Sequence, residues 1–287
     1  MMELIIWDVQ HGSAAYLKTP AGKHIVIDLG TGDCSKGDMG FSPLKHLKNK
    51  CGINQLDEVI ITHPHTDHID DIMNFDSLQP KVLTRPKHLR EEEIKKANPS
   101  NDQQKVEKYL DINRRYSEPV HDFENPGIAE NNGGVTVKTF IPLNCGTSNI
   151  NNHSVVVLIE YLGKKILIPG DNESASWKEL LDRKDFVDAI RNTDIFIASH
   201  HGRESGYYSE LFDYFTPKLV VISDGNAKET SVTNKYSNVA SGWYVHSRPG
   251  YDNNPQLRKC LTTRKDGTIV VKVGKNKENP YINVTIE

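Results

Sequence analysis

The chain has 287 residues, 37% hydrophobic and 25% charged, with a formal net charge of −3 and a pI near 6.5. This is the make-up of an ordinary globular protein with ample core, which excludes a disordered or fibrous chain and offers no general attraction to nucleic acid. No apolar run approaches the roughly 18 residues of a membrane span, and Met1-Met2-Glu3 lacks the basic start and apolar stretch of a signal peptide, so a cytoplasmic protein with no membrane partner is expected.

Glu3 to Val9, Ala14 to Lys18 and Lys23 to Asp28 read as short strands, with Pro20-Ala21-Gly22 as a hairpin turn. A Gly-rich loop with Asp33 and Asp38 runs from Gly30 to Gly40, and Pro43-Leu44 opens a short helix to Lys50. The β-branched run Val59-Ile60-Ile61 is a buried strand that ends at Thr62-His63-Pro64-His65-Thr66-Asp67-His68. Ile69 to Phe75 continues as a helix. Residues 88–118 form a charged helical insertion, a broken amphipathic pair with apolar positions at Val106, Tyr109, Leu110 and Ile112. It reads either as a solvated helical face or as a lid over substrate. Val135 to Ile141 alternates as a strand, and further strands are expected at Val220 to Ser223, Thr268 to Val273 and Ile282 to Ile286. Cys34, Cys51, Cys145 and Cys260 are far apart with no CxxC pair, which fits reduced thiols.

The His63-to-His68 segment is the densest chemistry in the chain. His63 and His65, two apart on an extended segment, point the same way and suit one ion. Asp67 and His68, where the chain turns helical, face a second. Imidazole with carboxylate suits zinc or manganese and leaves positions open for water. The bland alternative is a His-rich turn facing solvent.

These residues match the HxHxDH signature of the metallo-β-lactamase fold superfamily. Trp7-Asp8-Val9-Gln10-His11-Gly12-Ser13-Ala14, Ile25-Val26-Ile27-Asp28-Leu29-Gly30, Asn151-Asn152-His153-Ser154, Ile166-Leu167-Ile168-Pro169-Gly170-Asp171, Ser199-His200-His201-Gly202 and Lys265-Asp266-Gly267-Thr268-Ile269 resemble, in order, motifs of the soluble metallo-hydrolase domain of ComEC-type competence proteins. The resemblance covers nearly the whole chain and implies one domain, residues 1–287, with an α/β fold: an αββα four-layer sandwich of two mixed β-sheets. It also implies a site. His63, His65 and His153 would bind the first ion, Asp67 and His68 the second, and Asp171 would bridge them. His153 reads equally as a capping or solvent residue. His201 would complete the second site or donate a proton to the leaving group, while Asp8, His11 and His200 line the cleft.

The resemblance fails at one point. Its terminal G-H-P would place a histidine after Val221-Ile222-Ser223, but this chain has Asp224-Gly225-Asn226-Ala227-Lys228-Glu229-Thr230. His246 would need another loop path, so the second ion is expected either to be weakly bound or to rest on His201 and Asp224. A two-ion centre that activates water could serve any ester-like bond, and the ComEC-type resemblance implies a phosphodiesterase or nuclease acting on nucleic acid or a nucleotide. Small-molecule acyl hydrolysis of a lactone, thioester or β-lactam, or a module that acts only with a protein partner, are the other readings. The basic tract Arg258-Lys259, Arg264-Lys265, Lys272, Lys275 and Lys277 is either a phosphate-binding surface or a solvated hairpin.

Overall fold

In β1 (Met2–Ile6), Met2, Leu4 and Ile6 are buried while Glu3 and Ile5 turn to the other face, the two-residue period of a strand with one side in a core. A computed structural model describes residues 1–32, 40–225, 231–247 and 254–287. Cys34, Asp33, Asp38 and the stretch from Asn226 to Thr230 lie outside the described residues. The other strands are β2 (Ala15–Lys18), β3 (His24–Ile27), β4 (Glu58–Ile60), β5 (Val82–Thr84), β6 (Thr136–Phe140), β7 (Val156–Tyr161), β8 (Lys164–Ile168), β9 (Ile195–Ile197), β10 (Leu219–Ile222), β11 (Trp243–His246), β12 (Gln256–Arg258), β13 (Cys260–Thr262), β14 (Ile269–Asn276) and β15 (Asn279–Ile286). They form one sheet in the order β12-β11-β15-β14-β1-β2-β3-β4-β5 and another in the order β13-β10-β9-β8-β7-β6.

The two sheets pack face to face. Leu4, Ile27 and Ile60 of the first meet Val157, Ile168 and Ile197 of the second in one buried cluster. On the outer face of the first sheet, Val26, Val59 and Ile61 pack with Leu44, Ile69, Ile94 and Leu110 beneath α1 (Pro43–Asn49), α2 (Thr66–Ile69), α3 (Glu91–Ala97) and α4 (Gln103–Arg115). On the outer face of the second, Leu158, Leu167 and Phe196 pack with Trp177, Leu180, Phe186 and Ile190 of α5 (Ser174–Leu181) and α6 (Lys184–Ile190). Each such aliphatic side chain adds about 1.5–3 kcal/mol when fully buried. The layers are helix, sheet, sheet, helix, the expected α/β sandwich.

The segment around 88–118 is the pair α3 and α4, joined by a tight turn at Ser100–Asp102. Ile94, Val106, Tyr109, Leu110 and Ile112 are buried beneath it, and Lys95–Glu107 and Arg114–Glu91 ion pairs dress its outer side. It belongs to the outer helical layer.

Two local expectations need correction. Trp7 to Val9 leave the strand: β1 ends at Ile6, and Gln10 takes a left-handed backbone, φ 57°. The helix expected over Ile69 to Phe75 starts earlier, at Thr66, stops at Ile69 and resumes as a 3₁₀ turn at Ile72–Ser77. Asp71 causes the break, because its carboxylate accepts from Ser42 Oγ at 2.7 Å, Leu44 N at 2.8 Å and Asn74 Nδ2 at 2.6 Å. A side chain tied to the start of another helix competes with continuing its own.

β3 and β4 run parallel, as do β8, β9 and β10. Their carboxyl ends carry the loops expected to hold the site, in keeping with the usual place for ligands in parallel sheets. Val155 N donates to Thr62 O at 2.8 Å, joining the two sheets at that edge.

Candidate metal centre

The floor of the site is built by residues just past β3 and β4. Asp28, fully buried and left-handed at φ 59°, accepts from Thr62 N at 2.7 Å and Thr62 Oγ1 at 2.8 Å. Its Oδ2 also accepts from His68 Nδ1 at 2.8 Å. Asn98, between α3 and α4, braces the same loop: its Nδ2 donates to Pro64 O at 2.8 Å, and its Oδ1 accepts from Thr66 N at 3.0 Å. Gly12 lies against the loop from the other side, where a Cβ would come within 2.8 Å of Asp67 O.

The second sheet supplies the opposing wall. Gly170 turns with φ 60°, and a Cβ there would stand 2.8 Å from Cβ of both Thr62 and Ser154. Only glycine suits both constraints. The turn presents Asp171, whose N–H donates to Ser154 Oγ at 3.1 Å. After β9, His200 and His201 both sit in the left-handed region, φ 49° and 52°, a conformation that costs side-chain-bearing residues and recurs at functional sites. His201 Nδ1 donates to Ser223 O at 3.0 Å.

These elements converge their donor atoms. His68 Nε2 lies 3.3 Å from Asp171 Oδ1 and 3.4 Å from His201 Nε2. His201 Nε2 lies 3.2 Å from Asp67 Oδ2 and 3.5 Å from Asp171 Oδ2. His63 Nε2 lies 3.9 Å from Asp171 Oδ2 and 2.9 Å from His65 Nδ1. Two donor groups result, His63-His68-Asp171 and Asp67-His68-His201, each with ligand atoms within 4.8 Å of one another.

The donor chemistry fits divalent cations. Asp28 and Ser223 take up the Nδ1 protons of His68 and His201, so in the neutral rings both Nε2 atoms are lone pairs facing each other and two carboxylates. Without a cation between them, such atoms repel, and burial removes the water that would screen them. Protonation is the metal-free substitute. Burial opposes charge on His68, yet Asp171, Asp28 and Asp67 hold its pKa well above the usual value. His201 is also raised, against burial, chiefly by Asp171 and Asp67. Burial likewise opposes ionisation of Asp67 and Asp171, but His68 and His201 hold both carboxyls well below the usual range. Burial, then His68, pushes His63 well down. Orientation of a ligand imidazole by a carboxylate or carbonyl on its far nitrogen is the common supporting arrangement at metal sites.

The structure brings together His63, His65, Asp67, His68, Asp171 and His201. It places His153 elsewhere: Nδ1 pairs with His88 Nε2 at 2.8 Å and Nε2 with Gly146 O at 3.1 Å. Both ring nitrogens are engaged away from the cluster, so the expected third ligand of the first ion is absent in this arrangement. Asp224 also departs from expectation. Its Oδ2 accepts from Ser231 Oγ at 3.0 Å and faces Arg264 at 3.5 Å, and His201 alone reaches the second donor group. His246 is exposed on β11, toward the opposite edge of the nine-stranded sheet from β3 and β4. Asp8 caps its own turn through Gln10 N at 3.2 Å. His11 stands at the rim, 3.8 Å from Asp67, and His200 stands 3.8 Å from Asp171 and 3.0 Å from Glu173.

Asp28, Thr62 and Asn98 carry supporting roles that the sequence did not single out. For Asp28 a signal existed, a carboxylate ending the apolar run Ile25-Val26-Ile27. Asn98 offered none.

A sandwich of two mixed sheets with His and Asp donors at the ends of parallel strands defines a metal-dependent hydrolase of the metallo-β-lactamase kind. A family profile described as the metallo-beta-lactamase superfamily matches residues 8–223, and the chain belongs to that superfamily. No characterised protein sequence matches significantly. Among solved structures, a variant of the β-hydroxylase CmlA is similar with a TM-score of 0.52 and 11% identity, over 94% of this chain and 54% of that one; CmlA of Streptomyces venezuelae is described as a diiron enzyme. The metallo-β-lactamase fold protein YhfI of Bacillus subtilis follows at 0.49 and 12%, over 95% and 100%. Zn(2+)-bound PqqB of Methylobacterium extorquens follows at 0.44 and 13%, over 83% and 94%. At these identities the likeness concerns the fold. No described helix is long and apolar enough to cross a membrane.

Proposed function

We propose that the chain is a phosphodiesterase, a nuclease or nucleotide phosphodiesterase, working with two divalent ions, zinc or manganese. The observation that carries the reading is Asp171: its Oδ1 faces His68, while its Oδ2 faces His63 and His201. One carboxylate thus reaches both donor groups, as a bridging ligand would. Divalent ions, when held by His63, His68 and Asp171 and by Asp67, His68 and His201, would supply the acidification of water and the charge neutralisation that an in-line displacement needs. The motif likeness to the ComEC-type hydrolase domain points to the same bond.

The chain's own residues do the positioning. Asp28 and Ser223 fix the tautomers of His68 and His201, leaving each Nε2 as a donor. His201 thereby takes the place of the terminal histidine that the ComEC-type pattern would supply. Asp67 belongs to the second group and is the acidic residue nearest the open rim, where substrate enters. Buried Thr62, Ser154 and Asn172 hydrogen-bond the loops beneath the donors to one another.

The test is cleavage of labelled single- and double-stranded DNA by the full chain with manganese, magnesium or zinc, beside Asp67→Ala. Metal-dependent cutting that is lost in the variant is the expected result. Intact DNA with a filled metal site would sink the nuclease reading and direct the search to nucleotides, to acyl substrates or to an activating protein partner.

A further inference from the structure

One guanidinium stands at the rim of this centre without a carboxylate partner among the described residues. Arg203 follows His200-His201-Gly202 and is half-buried. Its Nη2 donates to His11 Nε2 at 3.2 Å, and its Nη1 lies 3.5 Å from His200 Nε2. Arginine only donates, so both imidazoles present lone pairs to it. On the other side of the His200 ring, Nδ1 lies 2.8 Å from Ser205 Oγ and 3.0 Å from Glu173 Oε1. Neutral acceptors therefore hold the guanidinium in place without cancelling its charge.

The placement matters as much as the charge. His11 faces Asp67 at 3.8 Å, and its ring centroid is 4.9 Å from that of His201. His200 faces Asp171 at 3.8 Å. Arg203 is thus one side chain away from a carboxylate on each side of the cluster, beside the half-exposed ring of His11. Of the C-terminal basic residues, Arg258 pairs with Asp266 at 2.9 Å, Lys272 with Glu3 at 2.9 Å, and Arg264 faces Asp224 at 3.5 Å.

We propose that Arg203, held by His11 and His200, binds the non-bridging oxygens of the substrate's phosphate group and selects an anionic tetrahedral substrate over a neutral ester. The proposal rests on the phosphodiesterase reading and adds the residue that would discriminate. A planar fork with two N–H groups on one edge matches two phosphate oxygens. The weakest of its present contacts, that to His200, is the one most easily exchanged for an anion.

The experiment titrates inorganic phosphate into the manganese-loaded full chain by calorimetry, for wild type, Arg203→Ala and Arg203→Lys, with metal content and Tm measured on each. Wild type is expected to bind phosphate, Arg203→Ala at least tenfold more weakly, and Arg203→Lys in between, all with the same metal content and Tm. In parallel, KM for bis(p-nitrophenyl) phosphate should rise at least tenfold in Arg203→Ala with a smaller change in kcat. The proposal is overturned if wild type binds no phosphate, if Arg203→Ala binds it equally, or if both variants lose metal and Tm together, which makes Arg203 a brace for the strained turn. Phosphate binding through Arg203 without any phosphodiester cleavage would leave the clamp standing and remove the phosphodiesterase reading. Equal cleavage by wild type and Arg203→Ala would do the reverse.

Discussion

At the start of β4, Glu58 is 2% exposed, with Oε1 accepting from Thr84 Oγ1 at 2.6 Å and Oε2 without a partner. It borders a cavity of about 450 Å³ between β5 and β6. Past the other end of the same strand, His63 and His68, with Asp171 from the second sheet facing them, are equally buried, but each lies within reach of an ionisable neighbour. Burial pushes the Glu58 carboxyl up to about 7, and the Thr84 hydrogen bond only partly opposes it. Around His68 and Asp171, opposite charges outweigh the same burial penalty. A lone buried acid keeps its proton, whereas among converging carboxylates and imidazoles each charge is balanced by its neighbours.

The largest effect is expected at the donor-rich end. Asp67→Ala should remove hydrolysis almost entirely, beyond the roughly 10–100-fold loss typical of a residue that only supports a ligand; rates at saturating metal check this, and a variant of near wild-type activity would dissolve the contrast. Glu58 provides the opposite arm. Its folded pKa, about 7, lies above the ordinary 4.5, so between these values the folded state binds more protons and stability falls as pH rises. Above about pH 7 the loss is complete, up to about 3 kcal/mol. Denaturation midpoints of wild type should therefore decline from pH 4.5 to 7 relative to Glu58→Gln. Parallel curves for the two proteins would mean that Glu58 is not protonated by burial.

Two smaller changes sharpen the account of the site. Asp28→Asn should weaken metal binding by roughly 10–100-fold in a chelator competition, because His68 loses the carboxylate that fixes its tautomer. An unchanged affinity would place Asp28 in the fold alone. Asn98→Ala strands Pro64 O and Thr66 N, at a cost of roughly 1–3 kcal/mol if both stay buried, visible as a lower Tm.

Much of this arrangement was legible in the chain. Val59-Ile60-Ile61 running into His63, His65, Asp67 and His68 specified a strand that delivers imidazoles and a carboxylate to one loop, and the runs before Asp171 and His201 repeated the device. The local pattern was silent where distant residues decide. His153 is turned away by His88 and the carbonyl of Gly146, partners that no spacing reveals. The helix after His68 breaks because Asp71 is held by Ser42, from a different helix. Two successive left-handed residues at His200 and His201 carry the His201 imidazole to Asp67 and His68, a turn that no spacing reveals. Asp28 looked like a strand end until its hydrogen bond to His68 gave it a function.

Metal stoichiometry tests the central claim most directly. Purified chain, equilibrated with manganese or zinc, desalted and analysed by mass spectrometry of the elements, should retain two ions per chain, and Asp67→Ala should retain fewer. Retention of no more than trace metal by the folded wild type would contradict the account, since the converged donors would then be held by protons alone.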